Sequence, residues 1–314
     1  MRFSQIRDLL AVVEAGSLRA AARRIGVSQP AISKSIAQLE REVQAQLLVR
    51  TAQGVMLTAA GRAFVARGRV IHGELRKVQD DLAALHGRAE GSVSFGCGPA
   101  VAYPLVPDAM ARFRAKWPRA YVRIREGMRN AFLPLVRDET LDFSISETTP
   151  SDEAGLQFKP LLQPELVIAA RRGHPLANAV SLQELAKASW LVFNLPGAGG
   201  VLERTFKLYG LSPPDTLVHC ESYATALGLV ARTDLLALVL RQVLEGPMTE
   251  PFLQRIRTRE KVSRPTIGIF SRAGSPLSPA AAAMAQAFSA AARAFSRAET
   301  SESGSYGKGA PRRG

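Results

Sequence analysis

The sequence predicts an α/β protein: a small helical unit with a β-hairpin, then one long helix, then a larger domain of alternating strands and helices. Three observations predict it. Apolar residues recur at helical spacing through residues 2–42 and give way to two short strand-like runs around a glycine. A helical stretch over 58–87 carries an apolar heptad stripe. From residue 91 onward, strand-like and helix-like segments alternate. With 314 residues, 46% hydrophobic and 22% charged, the chain has the make-up of two or three folded domains rather than of a disordered polymer.

Phe3, Ile6, Leu10 and Val13 share one face of a first helix, residues 2–15, which Gly16 ends by taking a left-handed turn at little cost. Ser17 caps a second helix, 18–25, whose Ala20, Ala21 and Ala22 let another helix cross closely. Gly26 closes it, and Val27 is expected to plug the turn. Ser28 caps a third helix, with Pro30 in its first turn where a missing N–H costs little. That helix runs to about Glu42, buries Ile32, Ile36 and Leu39, and turns out Gln29, Ser33, Lys34, Ser35 and Gln38. Residues 47–50 and 55–58 are strand-like, with Ala52, Gln53 and Gly54 as the hairpin turn.

In the long helix, Phe64, Ile71, Leu75, Val78, Leu82 and Leu85 are spaced 7, 4, 3, 4 and 3 apart, an a/d seam that Gly68 and Gly73 weaken in its first half. So narrow a stripe needs a partner: a second copy, or alternatively the body of the same chain. Strand-like segments follow at 93–96, 121–125, 141–145, 166–170, 191–193, 217–220, 235–239 and 265–270. Helices are expected at 101–116, at 130–138, from near Ser181, Gly200 and Ser222, and at 278–294. The alternation argues for a largely parallel sheet. Residues 299–314, rich in Ser and Gly with Arg312 and Arg313, read as a disordered tail.

The formal charge is +14, and its placement is informative. Residues 1–72 hold 11 Lys and Arg against 4 Asp and Glu, whereas residues 91–292 hold 22 against 17. The surplus is concentrated at the N-terminus and suggests a polyanionic partner there, a solubilising surface being the alternative. Cys97 and Cys220 are the only cysteines and form no CxxC pair, which fits reduced thiols in a cytoplasmic protein. Cys97 stands near a helix start and is either a core thiol or a redox-sensitive one. No apolar run reaches the roughly 18–20 residues of a membrane span, and the N-terminus lacks a signal core. His72, His86, His174 and His219 have no metal-binding spacing, and no GxSxG, HExxH or P-loop pattern occurs. Neither an enzyme, nor a metal, nor a resident cofactor is expected.

Residues 17–40 have the build of a helix-turn-helix: a capped helix, a glycine bend, an apolar turn residue and a second capped helix. The major groove of double-stranded DNA accepts such a helix, and residues near its start reach base edges. Gln29 has the chemistry to read adenine and Lys34 guanine, while Ser33 suits a base or a phosphate. Ser17, Arg50 and Thr58, at helix starts and on the hairpin wing, suit phosphates. Ser28, Pro30, Gln38 and Thr51 complete the candidate DNA-binding set. The plainer alternative is a helical hairpin with a solvated polar face, against which the wing, the basic bias and the heptads count together.

The matching text is long. It comprises Gly16-Ser17-Leu18-Arg19-Ala20-Ala21-Ala22, Ser28-Gln29-Pro30-Ala31-Ile32-Ser33, Ile36 through Leu39-Glu40, and Leu47-Leu48-Val49-Arg50-Thr51 through Gly54-Val55-Met56-Leu57-Thr58-Ala59-Ala60-Gly61. On these residues the chain, from 1 to about 295, resembles the LysR-type transcriptional regulators. The resemblance implies a winged helix-turn-helix DNA-binding domain at 1–58 and a linker and dimerisation helix at 59–90. It implies a two-lobed effector-binding domain like the periplasmic binding proteins at 91–296, with lobes of 91–162 plus 266–296 and of 163–265, and then a disordered tail at 297–314. It also implies a homodimer or homotetramer on promoter DNA, RNA polymerase as a candidate partner, and an effector between the lobes. Leu48 stands where most members have Phe, and Gln53 where many have Arg, which removes one backbone contact from the wing tip.

The residues suggest what that effector is. Ligands of open α/β sheets bind at the carboxyl ends of strands, and helix N-termini suit anions. Four strand-to-helix turns qualify: Gly98, Pro99 and Ala100; Met128 and Arg129; Phe193 and Asn194; Ser222 and Tyr223. Together they suggest a small anion with an apolar body, such as an aromatic acid or sulfonate, packed by Met128, Phe193 and Tyr223. Each loop is alternatively a plain connection. A structural DNA binder with no ligand would leave the α/β domain unexplained.

Overall fold

Four short amphipathic segments, each with one apolar stripe, close the N-terminal core around Ile6, Leu9, Val12, Ala21, Ile32, Leu39 and Leu47. The computed structural model describes residues 1–51, 54–86, 91–148, 154–194, 197, 199–215 and 217–305. It divides into two units, Met1–His86 with Arg137–Thr140, and Gly87–Val136 with Leu141–Gly314.

The first unit contains α1 (Phe3–Ala15), α2 (Leu18–Ile25), α3 (Gln29–Glu42), β1 (Leu48–Thr51), β2 (Gly54–Leu57) and α4 (Ala59–Leu85). Gly16 and Gly26 end α1 and α2 at φ 70° and 72°. The hydroxyls of Ser17 and Ser28 accept from the amides of Ala20 and Ala31, at 3.2 and 3.3 Å. Val27 does not plug the turn but stands 37% exposed, while Leu18 and Ile25 pack against the core. Ser35 does not face out freely either, since it donates to Asp8 Oδ2 at 2.7 Å and ties α3 to α1. β1 and β2 pair antiparallel, from Leu48 opposite Leu57 to Thr51 opposite Gly54. Glu40 Oε1 accepts from the amides of Leu47 and Leu48 at 2.7 and 3.0 Å, so a carboxylate on α3 fixes where the wing begins. Ala52 and Gln53, expected in the turn, lie outside the described residues.

In α4, Ile71, Leu75, Val78, Leu82 and Leu85 of the expected seam are exposed. Phe64 packs instead against the helical core. What α4 packs within this unit is another, polar side: Arg69 bonds Asp138 at 2.7 Å and Lys77 pairs with Glu139 at 3.2 Å.

The second unit is two five-stranded sheets with flanking helices. In chain order its elements are β3 (Ser92–Cys97), α5 (Pro99–Lys116), β4 (Tyr121–Glu126), α6 (Arg129–Arg137, its last residue in the first unit), β5 (Phe143–Glu147) and β6 (Leu156–Leu162). Then come β7 (Leu166–Arg171), α7 (Leu182–Leu185), β8 (Trp190–Val192), α8 (Val201–Leu208), β9 (Leu217–His219), α9 (Tyr223–Arg232), β10 (Leu236–Leu240), α10 (Arg241–Leu244) and β11 (Leu253–Ile256). The chain closes with β12 (Ile267–Arg272) and α11 (Pro279–Ser305). The sheets run β4-β3-β5-β12-β6 and β11-β7-β10-β8-β9. They are mixed rather than largely parallel: β12 pairs antiparallel with β5 and β6, and β7 antiparallel with β10 and β11. The chain leaves the first sheet between Leu162 and Leu166 and returns between Ile256 and Ile267. Phe95 and Phe143 stack at the centre of the first lobe with Phe288 edge-on to both, and Trp190 packs edge-on to Phe206 in the second. α11 continues to Ser305, so the tail expected from 297 starts as helix, and 306–314 lie outside the described residues.

Candidate functional site

Two faces combine exposure with chemistry. The first is the outer side of α3. Its buried stripe is Ile32, Ile36 and Leu39, which leaves Pro30, Lys34, Ala37 and Arg41 in line on the other side. Gln29 and Lys34 are exposed and, among the described residues, make no hydrogen bond or ion pair. Arg50 of β1 donates to Ser33 Oγ at 2.9 Å, so the wing and this helix present one continuous polar surface. Thr51 is exposed beside it.

Other members of the expected set are already engaged. The Ser17 and Ser28 hydroxyls cap their helices. Gln38 accepts from Arg2 at 3.4 Å and donates to Glu42 at 3.0 Å. Thr58 donates to the Gln46 carbonyl at 2.6 Å and accepts from the Gly61 amide at 2.9 Å, which makes it first a joint between wing and α4. Arg41 was not singled out from sequence, although its position seven residues after Lys34 places it on the same stripe.

The second face is a cleft of about 610 Å³ between the two sheets of the second unit. Gly98, Met128, Arg129, Phe193, Asn194 and Tyr223 all line it. The N-termini of α5 and α8 open at Gly98 and Gly200, both cleft residues, and neither carries a side-chain cap. Their amides suit an anion. Phe193 and Tyr223 pack ring on ring at 5.3 Å. Burial pushes the Tyr223 phenol well above its usual range, so it is a neutral wall at physiological pH. Leu166, Leu202, Leu240 and Ile267 make most of the remaining lining apolar. Ser146, 3% exposed, also lines the cleft, and its hydroxyl has no hydrogen-bond partner among the described residues. A buried polar group in that condition is costly and suits a ligand acceptor or donor.

A family model described as "Bacterial regulatory helix-turn-helix protein, lysR family" matches residues 3–62, and a second, "LysR substrate binding domain", matches residues 86–293. The chain belongs to the LysR family. It is a transcriptional regulator with a helix-turn-helix DNA-binding domain and a substrate-binding domain. Among relatives of this LysR-family chain, the HTH-type transcriptional regulator GalR of Pseudomonas putida is 32% identical over 286 residues, covering 89% of this chain and 71% of that protein. TdcA of Escherichia coli strain K12, another HTH-type transcriptional regulator, is 30% identical over 246 residues, 77% of this chain and 76% of that one. The crystal structure of full-length CbnR complexed with its target DNA has a similar fold, at TM-score 0.66 and 23% identity, covering 93% of this chain and 100% of that one.

Not every expected residue of the substrate-binding domain lies in the cleft of this LysR-family chain. Ser222 is not among the cleft residues: its hydroxyl caps α9, accepting from Thr225 N at 3.3 Å and Thr225 Oγ1 at 3.0 Å. The side chains of Pro99 and Ala100 lie outside the described residues. Cys97 is fully buried, and burial, reinforced by Glu126, pushes its thiol up to about 12. A thiol so disposed is a core residue, poorly placed for redox chemistry. Sequence reasoning missed Glu147, Ser146 and Arg204. Nothing local announces them, since Glu147 closes a strand and Arg204 sits in the first turn of a helix 57 residues away. No helix among the described residues is long and apolar enough to cross a membrane.

Proposed function

We propose that this chain is a sequence-specific regulator of promoter DNA that responds to a small anionic ligand with an apolar, preferably aromatic, body. The observation that carries the DNA half is the pairing of unengaged Gln29 and Lys34 on α3 with Arg50, which reaches across from the wing to Ser33. Gln29 and Lys34 face base edges, and Ser17, Ser28, Pro30, Ser33, Gln38, Arg50, Thr51 and Thr58 position the unit against the backbone. Replacing Gln29 or Lys34 by Ala is expected to relax base preference, at about 1–3 kcal/mol per lost contact. Arg50→Ala is expected to weaken all duplexes alike and to lower the salt slope by about one. Quantitative footprinting at several salt concentrations separates the two, and an unchanged footprint for both α3 variants would remove α3 from the groove.

The ligand half rests on the cleft, where uncapped helix ends, the Ser146 hydroxyl and the Phe193–Tyr223 wall converge. Met128, Arg129 and Asn194 complete the ligand set. A thermal-shift panel of aromatic carboxylates, sulfonates and neutral isosteres tests the class. Stabilisation by the acids but not by their amides is expected, and Phe193→Ala is expected to abolish it. Stabilisation by neutral compounds alone would overturn the anionic reading.

The chain acts as a homodimer or homotetramer paired through α4, bending DNA between two half-sites. Ligand binding changes lobe placement, and with it access of RNA polymerase. The ligand must prefer one arrangement over the other for this to work.

A further inference from the structure

Glu147 is the last residue of β5 in the first sheet, and it faces the cleft. Its Oε1 accepts from Asn194 Nδ2 at 3.0 Å, and its Oε2 lies 3.5 Å from Arg204 Nη2. Both donors belong to the second lobe: Asn194 follows β8 and Arg204 is in the first turn of α8. Arg204 is also held within its own lobe. It donates to the Gly199 carbonyl at 2.6 Å, and Glu203 Oε2 accepts from the Gly199 amide at 3.0 Å. Gly200 packs against the Asn194 side chain, which a Cβ there would touch at 3.2 Å. Arg204 is therefore preorganised and Asn194 is hemmed in by Gly200, and one carboxylate, reaching over from the other lobe, uses both.

We infer that Glu147 is an internal stand-in for a ligand carboxylate: it ties the two lobes through Asn194 and Arg204, and an acidic ligand must displace it to bridge them. This deepens the ligand reading above and, in its second half, rests on it. A carboxylate across the cleft needs an amide N–H and a guanidinium N–H from the far lobe, and these are the groups Glu147 engages. Because Glu147 is part of the chain, it competes at a high effective concentration. Its charge also repels a second carboxylate from the same donors. Removing it frees the donors and the lobes together. Glu147 is thus a specificity residue that sets how strongly an acid must bind before the lobes rearrange.

The test uses the full chain with Cys220→Ser and spin labels at Ala115→Cys on α5 and Lys187→Cys after α7, both exposed. The labelled chain is mixed with a large excess of unlabelled chain, so that distances within one chain dominate. Without added ligand, Glu147→Ala is expected to broaden and lengthen the interlobe distance distribution. Glu147→Gln keeps the volume and one acceptor but loses the ion pair, and is expected to fall between. Distributions identical to the parent in both variants would overturn the tie. In a second arm, binding of benzoate and benzamide is measured by calorimetry. Glu147→Ala is expected to bind benzoate at least tenfold more tightly than the parent, with benzamide unchanged. Weaker benzoate binding would make Glu147 a ligand contact and overturn the stand-in. If the distances change but no variant binds either probe, the tie stands and the aromatic-acid reading falls.

Discussion

Gly61→Ala is expected to unfold the DNA-binding unit at least about 10 °C earlier than the parent protein and to abolish operator binding with it. A Cβ at Gly61 would overlap the Leu47 carbonyl oxygen and crowd the Leu57 side chain. The oxygen cannot retreat, because it accepts from the Thr58 amide at 3.1 Å, and the Leu47 amide on the other side of the same residue is held by Glu40. Backbone, unlike the tip of a flexible side chain, does not swing aside, so the cost falls near the upper end of overpacking, roughly 3 kcal/mol. At about 4–8 °C per kcal/mol for a unit of this size, the shift is easily read in a calorimetric scan. The substitution also favours the helix intrinsically, by up to about 1 kcal/mol, which makes the sign informative. A transition at or above the parental temperature would mean that the wing and α4 do not meet as described.

The second large effect concerns the long helix. Leu75→Asp combined with Leu82→Asp is expected to convert the protein into a monomer at micromolar concentration and to cut DNA affinity accordingly. These leucines are 37% and 52% exposed, so part of their surface is already covered, and each adds about 1 kcal/mol on meeting a second copy. Four such side chains in a dimer give roughly 4 kcal/mol, about three powers of ten in dissociation constant, before the repulsion of clustered carboxylates is counted. Sedimentation equilibrium measures this directly. An unchanged oligomer mass would show that the seam is not the interface.

How much of this was legible in the sequence depends on how local the signal was. Ser17, Gly26 and Ser28 act on amides three or four residues away, and the helices they bound stand where spacing places them. The expected strands in the sheet interiors were legible from their apolar runs. β6 and β11 were not; both are sheet edges, as are β4 and β9, whose residues at 121–125 and 217–220 nonetheless read as strands. An edge strand buries less and tolerates what an interior strand does not: β6 carries Pro160 at a register shift opposite Gly268. The expected parallel sheet failed for a related reason. β12 enters antiparallel from more than a hundred residues downstream of β5, and no local pattern announces its direction. At the candidate sites, Gly98, Met128 and Phe193, each expected from a single turn, line the cleft. The Glu147 bridge was not legible, because its members are joined only by the tertiary fold. Ser222 caps α9, and an N-cap serine and a ligand-binding serine look alike in one dimension.

The strand order β4-β3-β5-β12-β6 has a consequence for how the molecule is made. β12 lies between two strands that leave the ribosome long before it does, so the first lobe has a gap at its centre until synthesis passes Arg272. The second lobe draws all five strands from Leu166–Ile256, one uninterrupted stretch, and can close on its own while translation continues. During that interval β5 and β6 offer unpaired strand edges to other nascent chains. The first lobe therefore closes after the second, when one late strand enters the slot between its two neighbours.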